Sequence, residues 1–228
     1  MLDRGLLITY EGGDAAGKRT NVELTKECLE RMGFQVVVYT FPQYESTVGK
    51  VIANYLQGNY GDIDSVPHEL VCTAYAADRA RFAEDIATYL DNGYIVLCDR
   101  YTYSNAFTVA KMPRDKWDSF INWIEDLEFN CLNVIEPDYN IYLHVDPEIS
   151  IQRIKERGKR EYQNNKEDIH ESNFNLLKTT SEVYLYLAEQ KDNWIVIDEM
   201  QDGKQLPIED VFAKLFTEIY RILNKHYS

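Results

Sequence analysis

A glycine-rich segment near the start of the chain, EGGDAAGKRTN at 11–21, has residue types suited to phosphate binding. Gly12, Gly17 and Lys18 fit the pattern G-x-x-x-x-G-K-[ST], in which backbone N–H groups and a lysine bind phosphate oxygens. The helix that follows such a loop adds the positive end of its dipole. The segment therefore predicts a loop that binds the phosphates of a nucleotide, through Gly12, Gly13, Ala15, Ala16, Gly17, Lys18, Arg19 and Thr20.

One position of this loop departs from the pattern, because Arg19 stands where a hydroxyl residue normally binds magnesium. A guanidinium group has no acceptor atom and cannot ligate a cation. Thr20 has a hydroxyl, but one residue turns a helical side chain by about 100°, so a simple replacement is not expected. We expect Mg²⁺ to depend on Asp99 and on the nucleotide itself. Two alternatives are that Arg19 points away and pairs with an acidic neighbour, or that the domain binds nucleotides with impaired catalysis.

Two further segments directly follow apolar runs, as the glycine-rich segment does. FPQY follows the second run, and DRYTYSN, which begins with Asp99 and Arg100, follows the third. A carboxylate followed by a guanidinium would place a metal ligand beside a group that neutralises a phosphoryl group in transfer. Because ligands of parallel sheets bind beyond the carboxyl ends of the strands, we expect all three segments to meet at one crevice.

The elements that position these residues can be predicted from the apolar pattern. Five short apolar runs lack polar alternation, which is typical of strands covered on both faces; they lie at 5–10, 35–40, 94–98, 139–145 and 194–197. Apolar residues at helical spacing predict helices between and after these runs, over 18–32, 67–90, 170–190 and 208–226. This alternation predicts an α/β fold with a doubly wound five-stranded parallel sheet flanked by helices.

The composition restricts the class of protein. A length of 228 residues suits a single domain, 1–228. The formal charge of -14 argues against a nucleic-acid partner. No apolar stretch approaches the roughly 20 residues that span a bilayer, so no membrane association is expected. The four cysteines show no C-x-x-C spacing and are interpreted as reduced thiols, and with the lack of a signal-peptide pattern this favours a cytoplasmic enzyme.

Five segments together resemble the thymidylate kinase family: EGGDAAGK, FPQY, AADRARF, DRYTYSNAF and EDIHESNFNLLKTTSEVYLYLAE. They run in the family's order and cover most of the chain. The resemblance implies a homodimeric nucleoside monophosphate kinase that uses Mg²⁺ and transfers the γ-phosphoryl group of ATP to dTMP. It also implies a catalytic set of Lys18, Asp14, Arg100, Asp99, Arg157 and Arg160.

The resemblance assigns roles on the acceptor side residue by residue. Tyr75 matches an aromatic residue that stacks on thymine, and Arg79 matches an arginine that contacts the base O4 or the monophosphate. Asn105 matches an amide that faces N3 and O4 of thymine. Phe107 matches a residue that excludes a 2′-hydroxyl, although this loop is one residue shorter than the family pattern. The full set of implied substrate contacts is Asp14, Phe41, Pro42, Tyr75, Arg79, Arg100, Ser104, Asn105 and Phe107.

A basic stretch before the helix at 170–190 matches the family's lid over ATP, here around 153–168, with Arg153 as an ATP contact and Arg157 and Arg160 as lid arginines.

In one respect the chain departs from the family: Gln43 and Tyr44 stand where an arginine usually binds the acceptor monophosphate. That phosphate would then depend on Arg79, Arg100 and Arg81. The missing arginine leaves open a deoxynucleoside kinase acting on thymidine, which carries a hydroxyl in place of the phosphate.

Overall fold

A five-stranded parallel sheet lies at the centre of the fold, in a computed structural model that describes residues 4–62, 65–157 and 173–227. Its strands are β1 (Leu7–Glu11), β2 (Val36–Thr40), β3 (Ile95–Asp99), β4 (Tyr139–His144) and β5 (Trp194–Asp198). Each one overlaps an apolar run of the sequence. The strand order β2-β3-β1-β4-β5, with every pair parallel, confirms the predicted doubly wound α/β fold.

Helices connect and cover the strands. They are α1 (Lys18–Arg31), α2 (Thr47–Leu56), α3 (His68–Ala80), α4 (Ala83–Asp91), α5 (Ala106–Val109), α6 (Trp117–Glu125), α7 (Pro147–Arg157), α8 (Phe174–Gln190) and α9 (Ile208–Tyr227). A 3₁₀ turn at Thr102–Asn105 precedes α5, and a π-helical turn at Asp126–Cys131 continues α6. A short antiparallel hairpin of β6 (Met200–Gln201) and β7 (Lys204–Gln205), which the sequence pattern did not predict, precedes α9.

The helical segment expected over 67–90 consists of two helices, because the chain leaves the helical conformation at Phe82. The ring of Phe82 packs edge-on against Tyr39 and Phe41, so the break inserts an aromatic side chain into the core. Within the described ranges, no helix has the length and apolarity needed to cross a membrane.

Both faces of the sheet are covered, which explains why the strands read as continuous apolar runs. On one face the core includes Leu29 of α1 and Leu215 and Ile219 of α9. On the other face it includes Phe120 of α6 and Val183 of α8. The side chains of β1 and β3 are buried along their whole length.

The strand register places the carboxyl ends of β1, β2 and β3 side by side. Asp99 at the end of β3 is paired with Tyr10 of β1 and with Thr40 of β2. Backbone hydrogen bonds continue past the strands, from Phe41 N to Asp99 O at 3.0 Å and from Arg100 N to Tyr10 O at 3.0 Å. The segments that follow the three strands therefore leave the sheet next to one another.

Candidate active site

The loop between β1 and α1 closes around the ammonium group of Lys18. Lys18 is 6% exposed, and its Nζ donates to the carbonyl oxygens of Gly12 at 3.0 Å and Gly13 at 2.7 Å. Gly12 has φ 147°, and a Cβ there would lie 2.8 Å from Leu143 O, so only glycine fits. The loop ends at Gly17, with φ 66°, where α1 begins. This arrangement brings a full positive charge and a helix N-terminus to one point, as anion binding requires.

A partly buried ion pair joins this loop to the segment after β3. The Nη2 atom of Arg100 donates to Asp14 Oδ1 at 2.7 Å, and its Nη1 donates to Gly12 O at 3.3 Å. The exposed fractions of the two side chains are only 15% for Arg100 and 8% for Asp14, which strengthens their attraction compared with a solvent-exposed pair. Arg100 has φ 67°, a left-handed conformation that an L-residue rarely adopts. Two of the predicted segments thus meet through two predicted site residues.

Close to this pair lies Glu11, a buried carboxylate that no sequence motif indicated. It accepts hydrogen bonds from Tyr101 N at 2.9 Å, Ser104 Oγ at 2.6 Å and Tyr184 Oη at 3.3 Å. Burial raises the pKa of Glu11, while the Ser104 hydrogen bond and the Arg100 charge oppose the shift. The hydroxyl of Ser104, an expected substrate contact, is therefore bonded to Glu11. The position of Glu11, directly before Gly12, was the signal that could have identified it.

Asp99 is the residue expected to bind a metal ion. It ends β3, it is 8% exposed, and its carboxylate accepts no hydrogen bond from the residues that the structure describes. Those residues also contain no cluster of three or more His, Cys, Asp or Glu side chains that could hold a metal ion. The donor set fits Mg²⁺, which often binds one or two carboxylates and completes its shell with substrate phosphates and water.

The Arg19 side chain extends into solvent from α1. Its side chain is 84% exposed, and its Nε donates to Glu23 Oε1 at 2.9 Å, one turn along α1. Arg19 thus has the alternative orientation, paired with an acidic neighbour, and its contact with a nucleotide stays a prediction. Thr20 is exposed as well. The physical reason is that Glu23, at i+4, offers a local partner to a side chain already on the solvent face of the helix.

On the acceptor side, Arg79 and Asn105 share a buried partner, Glu128. Arg79 donates through Nε at 2.7 Å and through Nη2 at 2.6 Å, and Asn105 donates through Nδ2 at 3.0 Å. Thr102 Oγ1 donates to the same carboxylate at 2.8 Å. Glu128 has no exposed surface, and Arg79 is 1% exposed. Glu128 was not predicted, although it follows Ile121 and Ile124 at the spacing of the buried helix face.

The two aromatic residues expected around the base and sugar have different surroundings. Tyr75, partly buried, is on α3 one turn before Arg79 and lines a cavity of about 280 Å³ between α2 and α3. Phe107 is 6% exposed and packs with Leu176 and Leu177 of α8. The guanidinium carbon of Arg100 lies 5.9 Å from the centre of the Phe107 ring.

The segment after β2 begins in the core. The Phe41 ring is 2% exposed, and its centroid lies 5.6 Å from that of Phe82 and 5.8 Å from that of Tyr101. Its expected contact with a substrate stays a prediction. Pro42 is partly buried. Gln43 is folded back, with its N bonded to Asp78 Oδ2 at 2.8 Å and its Nε2 bonded to Thr40 O at 2.7 Å. Its side chain does not replace the arginine that the family has here.

Arg81, the third arginine considered for the acceptor phosphate, has a half-exposed side chain. It lies 3.5 Å from Asp78 and over the ring of Phe82. Asp78 thus holds both Arg81 and the segment after β2.

The beginning of the expected lid contacts the phosphate loop. Arg153 on α7 donates through Nη1 to Ala15 O at 2.9 Å and through Nη2 to Glu199 Oε2 at 2.8 Å. Burial raises the pKa of Glu199, and Arg153 opposes this shift. The side chain of Arg157 and all of 158–168, including Arg160, lie outside the described residues.

Comparison with known proteins gives a consistent result. The family profile described as Thymidylate kinase matches residues 10–211. The thymidylate kinase of Mycobacterium tuberculosis is 32% identical over 206 residues, which cover 88% of this chain and 95% of that protein. The thymidylate kinase of Plasmodium falciparum is 28% identical over 96% of this chain and 91% of that protein. The solved structure of Candida albicans thymidylate kinase has a TM-score of 0.75 and 21% identity, and covers 99% of this chain and 94% of that one; it supports the fold.

Proposed function

This chain belongs to the thymidylate kinase family, and on that premise we propose that it transfers the γ-phosphoryl group of ATP to dTMP, giving dTDP and ADP. The observation that carries the proposal is the meeting of the phosphate loop with the segment after β3, through the Asp14–Arg100 pair beside Lys18. Family membership does not favour the thymidine kinase or the impaired binding domain.

The residues on the donor side neutralise the charge that spreads over the phosphates during transfer. The backbone N–H groups of the loop and the ammonium of Lys18 bind the phosphates of ATP. An oxygen of the dTMP phosphate attacks the γ-phosphorus in line, and the bond to the β,γ-bridging oxygen breaks, so that ADP leaves. We assign Arg100, held by Asp14, to the transferring group, and Arg153, which contacts the loop, to ATP. Arg157 and Arg160 are assigned to the lid by the resemblance. Little covalent chemistry is required of the protein, so positioning and electrostatics determine the rate.

On the acceptor side, we assign base recognition to Tyr75, Arg79 and Asn105. An aromatic face stacks on a flat base, and a guanidinium one helical turn away reaches the same ligand. Phe107 is assigned to the sugar. The sequence places no arginine after Phe41 and Pro42, and Gln43 is bonded to backbone, so Arg100 is the main candidate for the acceptor phosphate.

Magnesium is held, in this proposal, by Asp99 and by phosphate oxygens. When bound, it would neutralise part of the negative charge on the phosphates. Because Arg19 provides no ligand, Arg19→Thr should introduce a hydroxyl and lower the Mg²⁺ concentration for half-maximal turnover. Asp99→Asn should raise it. This Mg²⁺ concentration is measured for each variant by titrating Mg²⁺ at saturating ATP and dTMP. If it is the same as in the wild type for both variants, the assignment of Asp99 is contradicted.

We also propose a cytoplasmic homodimer. All four cysteines are unpaired, which suits a reducing compartment. Exposed apolar side chains on α2 and α3 support self-association: Leu70 is 62% exposed and Val51 is 44% exposed.

A coupled assay of ADP release tests the function. The four deoxynucleoside monophosphates and thymidine are each supplied with ATP and Mg²⁺, and turnover is expected with dTMP and not with thymidine. Turnover with thymidine alone would identify a deoxynucleoside kinase. ATP binding without ADP release for any acceptor would identify a nucleotide-binding domain without this activity.

A further inference from the structure

Glu128 connects Arg79 and Asn105, two of the residues assigned to base recognition. It lies in the π-helical turn at Asp126–Cys131, a distortion often found at functional sites, and has no exposed surface. Its Oε1 accepts from both Arg79 Nη2 and Asn105 Nδ2. Its Oε2 accepts from Arg79 Nε and Thr102 Oγ1. Arg79 and Asn105 are thus held side by side by one oxygen atom.

This carboxylate fixes the orientation of the Asn105 amide. Carboxylate oxygens only accept hydrogen bonds, so the atom 3.0 Å from Glu128 Oε1 is the NH₂ nitrogen. With Nδ2 committed to Glu128, the atom that Asn105 presents to a ligand is its oxygen. That oxygen accepts no hydrogen bond from the described part of the chain.

The same carboxylate fixes the guanidinium of Arg79. A guanidinium has five N–H donors and no acceptor, and Glu128 engages Nε and Nη2. Both N–H groups of Nη1 are left outside this pairing. The pair therefore offers a ligand a donor from Arg79 next to an acceptor from Asn105.

We propose that Glu128 is a positioning residue that makes the acceptor site select a base with a keto oxygen beside an N–H group. This rests on the proposed function and deepens it. Thymine has O4 as an acceptor and N3–H as a donor, which complement Arg79 and Asn105. Cytosine has an amino group and an unprotonated N3, so donors would face donors and acceptors would face acceptors. Uracil has the same edge as thymine, and Glu128 does not separate these two.

The test replaces Glu128 with the isosteric amide, Glu128→Gln. The new amide has one oxygen, so it cannot accept from Nε and Nη2 of Arg79 together, and its NH₂ group must face one of these two N–H groups. Arg79 should therefore move away from its present position, and the fixed arrangement of its donor next to the Asn105 acceptor should be lost. The ratio of kcat/KM for dTMP to that for dCMP is expected to fall about 10- to 100-fold, mainly through a higher KM for dTMP. The KM for ATP and the ratio of dTMP to dUMP should change less than about threefold.

Thr102→Val is the matched control, because it removes a buried hydrogen bond to Glu128 without releasing Arg79 or Asn105. Its dTMP to dCMP ratio should stay within about twofold of the wild-type ratio. Equal loss of selectivity in both variants would mean that any damage to this cluster suffices, and would overturn the proposal. A wild-type ratio in Glu128→Gln would overturn it too.

Glu128→Gln leaves a buried guanidinium without its counterion and can fail to fold. Glu128→Asp then carries the test, since it keeps the charge and withdraws the carboxylate by one methylene. The Asp variant should show a smaller fall in the dTMP to dCMP ratio of kcat/KM. A folded Asp variant with the wild-type ratio would contradict the proposal. In the wild-type protein, NMR should find the Asn105 side-chain NH₂ protected from exchange with and without dTMP. A freely exchanging NH₂ group also contradicts it.

Equilibrium binding separates this proposal from the proposed function. Calorimetry compares dTMP with dCMP for the wild type, Glu128→Gln and Thr102→Val without ATP. If the wild type releases no ADP with dTMP, the proposed function fails. The preference of the protein for binding dTMP over dCMP still tests the role of Glu128. If dTMP is turned over and Glu128→Gln keeps the preference, this inference alone fails.

Discussion

At the scale of single residues, the placement of charge determines what the site can bind. The Lys18 ammonium is almost completely buried, and it donates to two carbonyl groups of its own loop. Arg19, the next residue, is directed to solvent and pairs with Glu23. Neighbouring cations on one helix thus have different surroundings, and only Lys18 lies inside the phosphate loop.

Replacing Lys18 should therefore affect turnover strongly. Lys18→Met keeps an unbranched side chain that is one atom shorter and removes the charge, so kcat should fall by about 10²- to 10³-fold, as for other lost stabilisers of transition-state charge. Steady-state assays with saturating ATP and dTMP measure this. Lys26→Met, on the exposed surface of α1, is the control and should retain wild-type kcat. A Lys18 variant with kcat within threefold of wild type, about 0.7 kcal/mol, would contradict this role.

At the scale of elements, Glu11 connects the end of β1 to the segment after β3 through hydrogen bonds. Its carboxylate accepts from a backbone N–H group, from Ser104 and from Tyr184 of α8. Three elements around the site are thus connected by one buried acid. Because burial makes the charged form costly, this connection depends on pH.

The direction of this pH dependence follows from the raised pKa. Burial raises the pKa of Glu11 above its ordinary value of 4.5, so between 4.5 and the folded-state pKa the folded protein holds a proton that the unfolded chain has released. This contribution to the free energy of unfolding is present at low pH and is lost as pH rises through that window. Glu11→Gln removes it, so the wild type should lose stability relative to this variant as pH rises from 4.5.

Urea denaturation at successive pH values measures this difference. Glu30→Gln, on the exposed surface of α1, controls for the loss of a carboxylate in general. If the wild type gained stability relative to Glu11→Gln over the same pH range, the burial argument would be wrong.

The start of α8 is fixed by Asn173, whose side chain accepts a hydrogen bond from Leu176 N at 3.0 Å. Helix starts leave N–H groups without partners, and an N-cap side chain satisfies one of them. Asn173→Ala should lower the free energy of unfolding by about 1 kcal/mol, whereas Asn173→Asp should keep the cap and cost less. Chemical denaturation compares the two. Equal stability of the wild type and the Ala variant would show that the cap contributes nothing.

At the scale of the whole molecule, the apolar surface of α2 and α3 predicts the oligomeric state. In the proposed homodimer, light scattering after size-exclusion chromatography should give twice the chain mass of 26.7 kDa. Leu70→Lys should shift the protein towards monomer, because a charge would be buried at the interface. Met32→Lys, at another exposed apolar side chain, should stay dimeric. A monomeric wild type would rule out the proposal.

The fold was predictable because its strands are buried on both faces. Such strands read as continuous apolar runs, and all five runs became strands of the sheet. The boundary between α3 and α4 was missed, since the apolar spacing continues through Phe82 and only the aromatic core around Phe41 explains the break.

The sequence by itself determined the phosphate loop, the segments after the strands and the sheet that brings them together, because glycine spacing and apolar periodicity act over a few residues. Only the tertiary structure decided that Arg79 pairs with Glu128, 49 residues away, and that Phe41 lies in the core. A buried charge needs a partner, and local sequence cannot tell which of many acids will be close. The packing of α3 against the turn after α6 brings Arg79 and Glu128 together. It therefore also determines which donor and acceptor groups are available to a substrate.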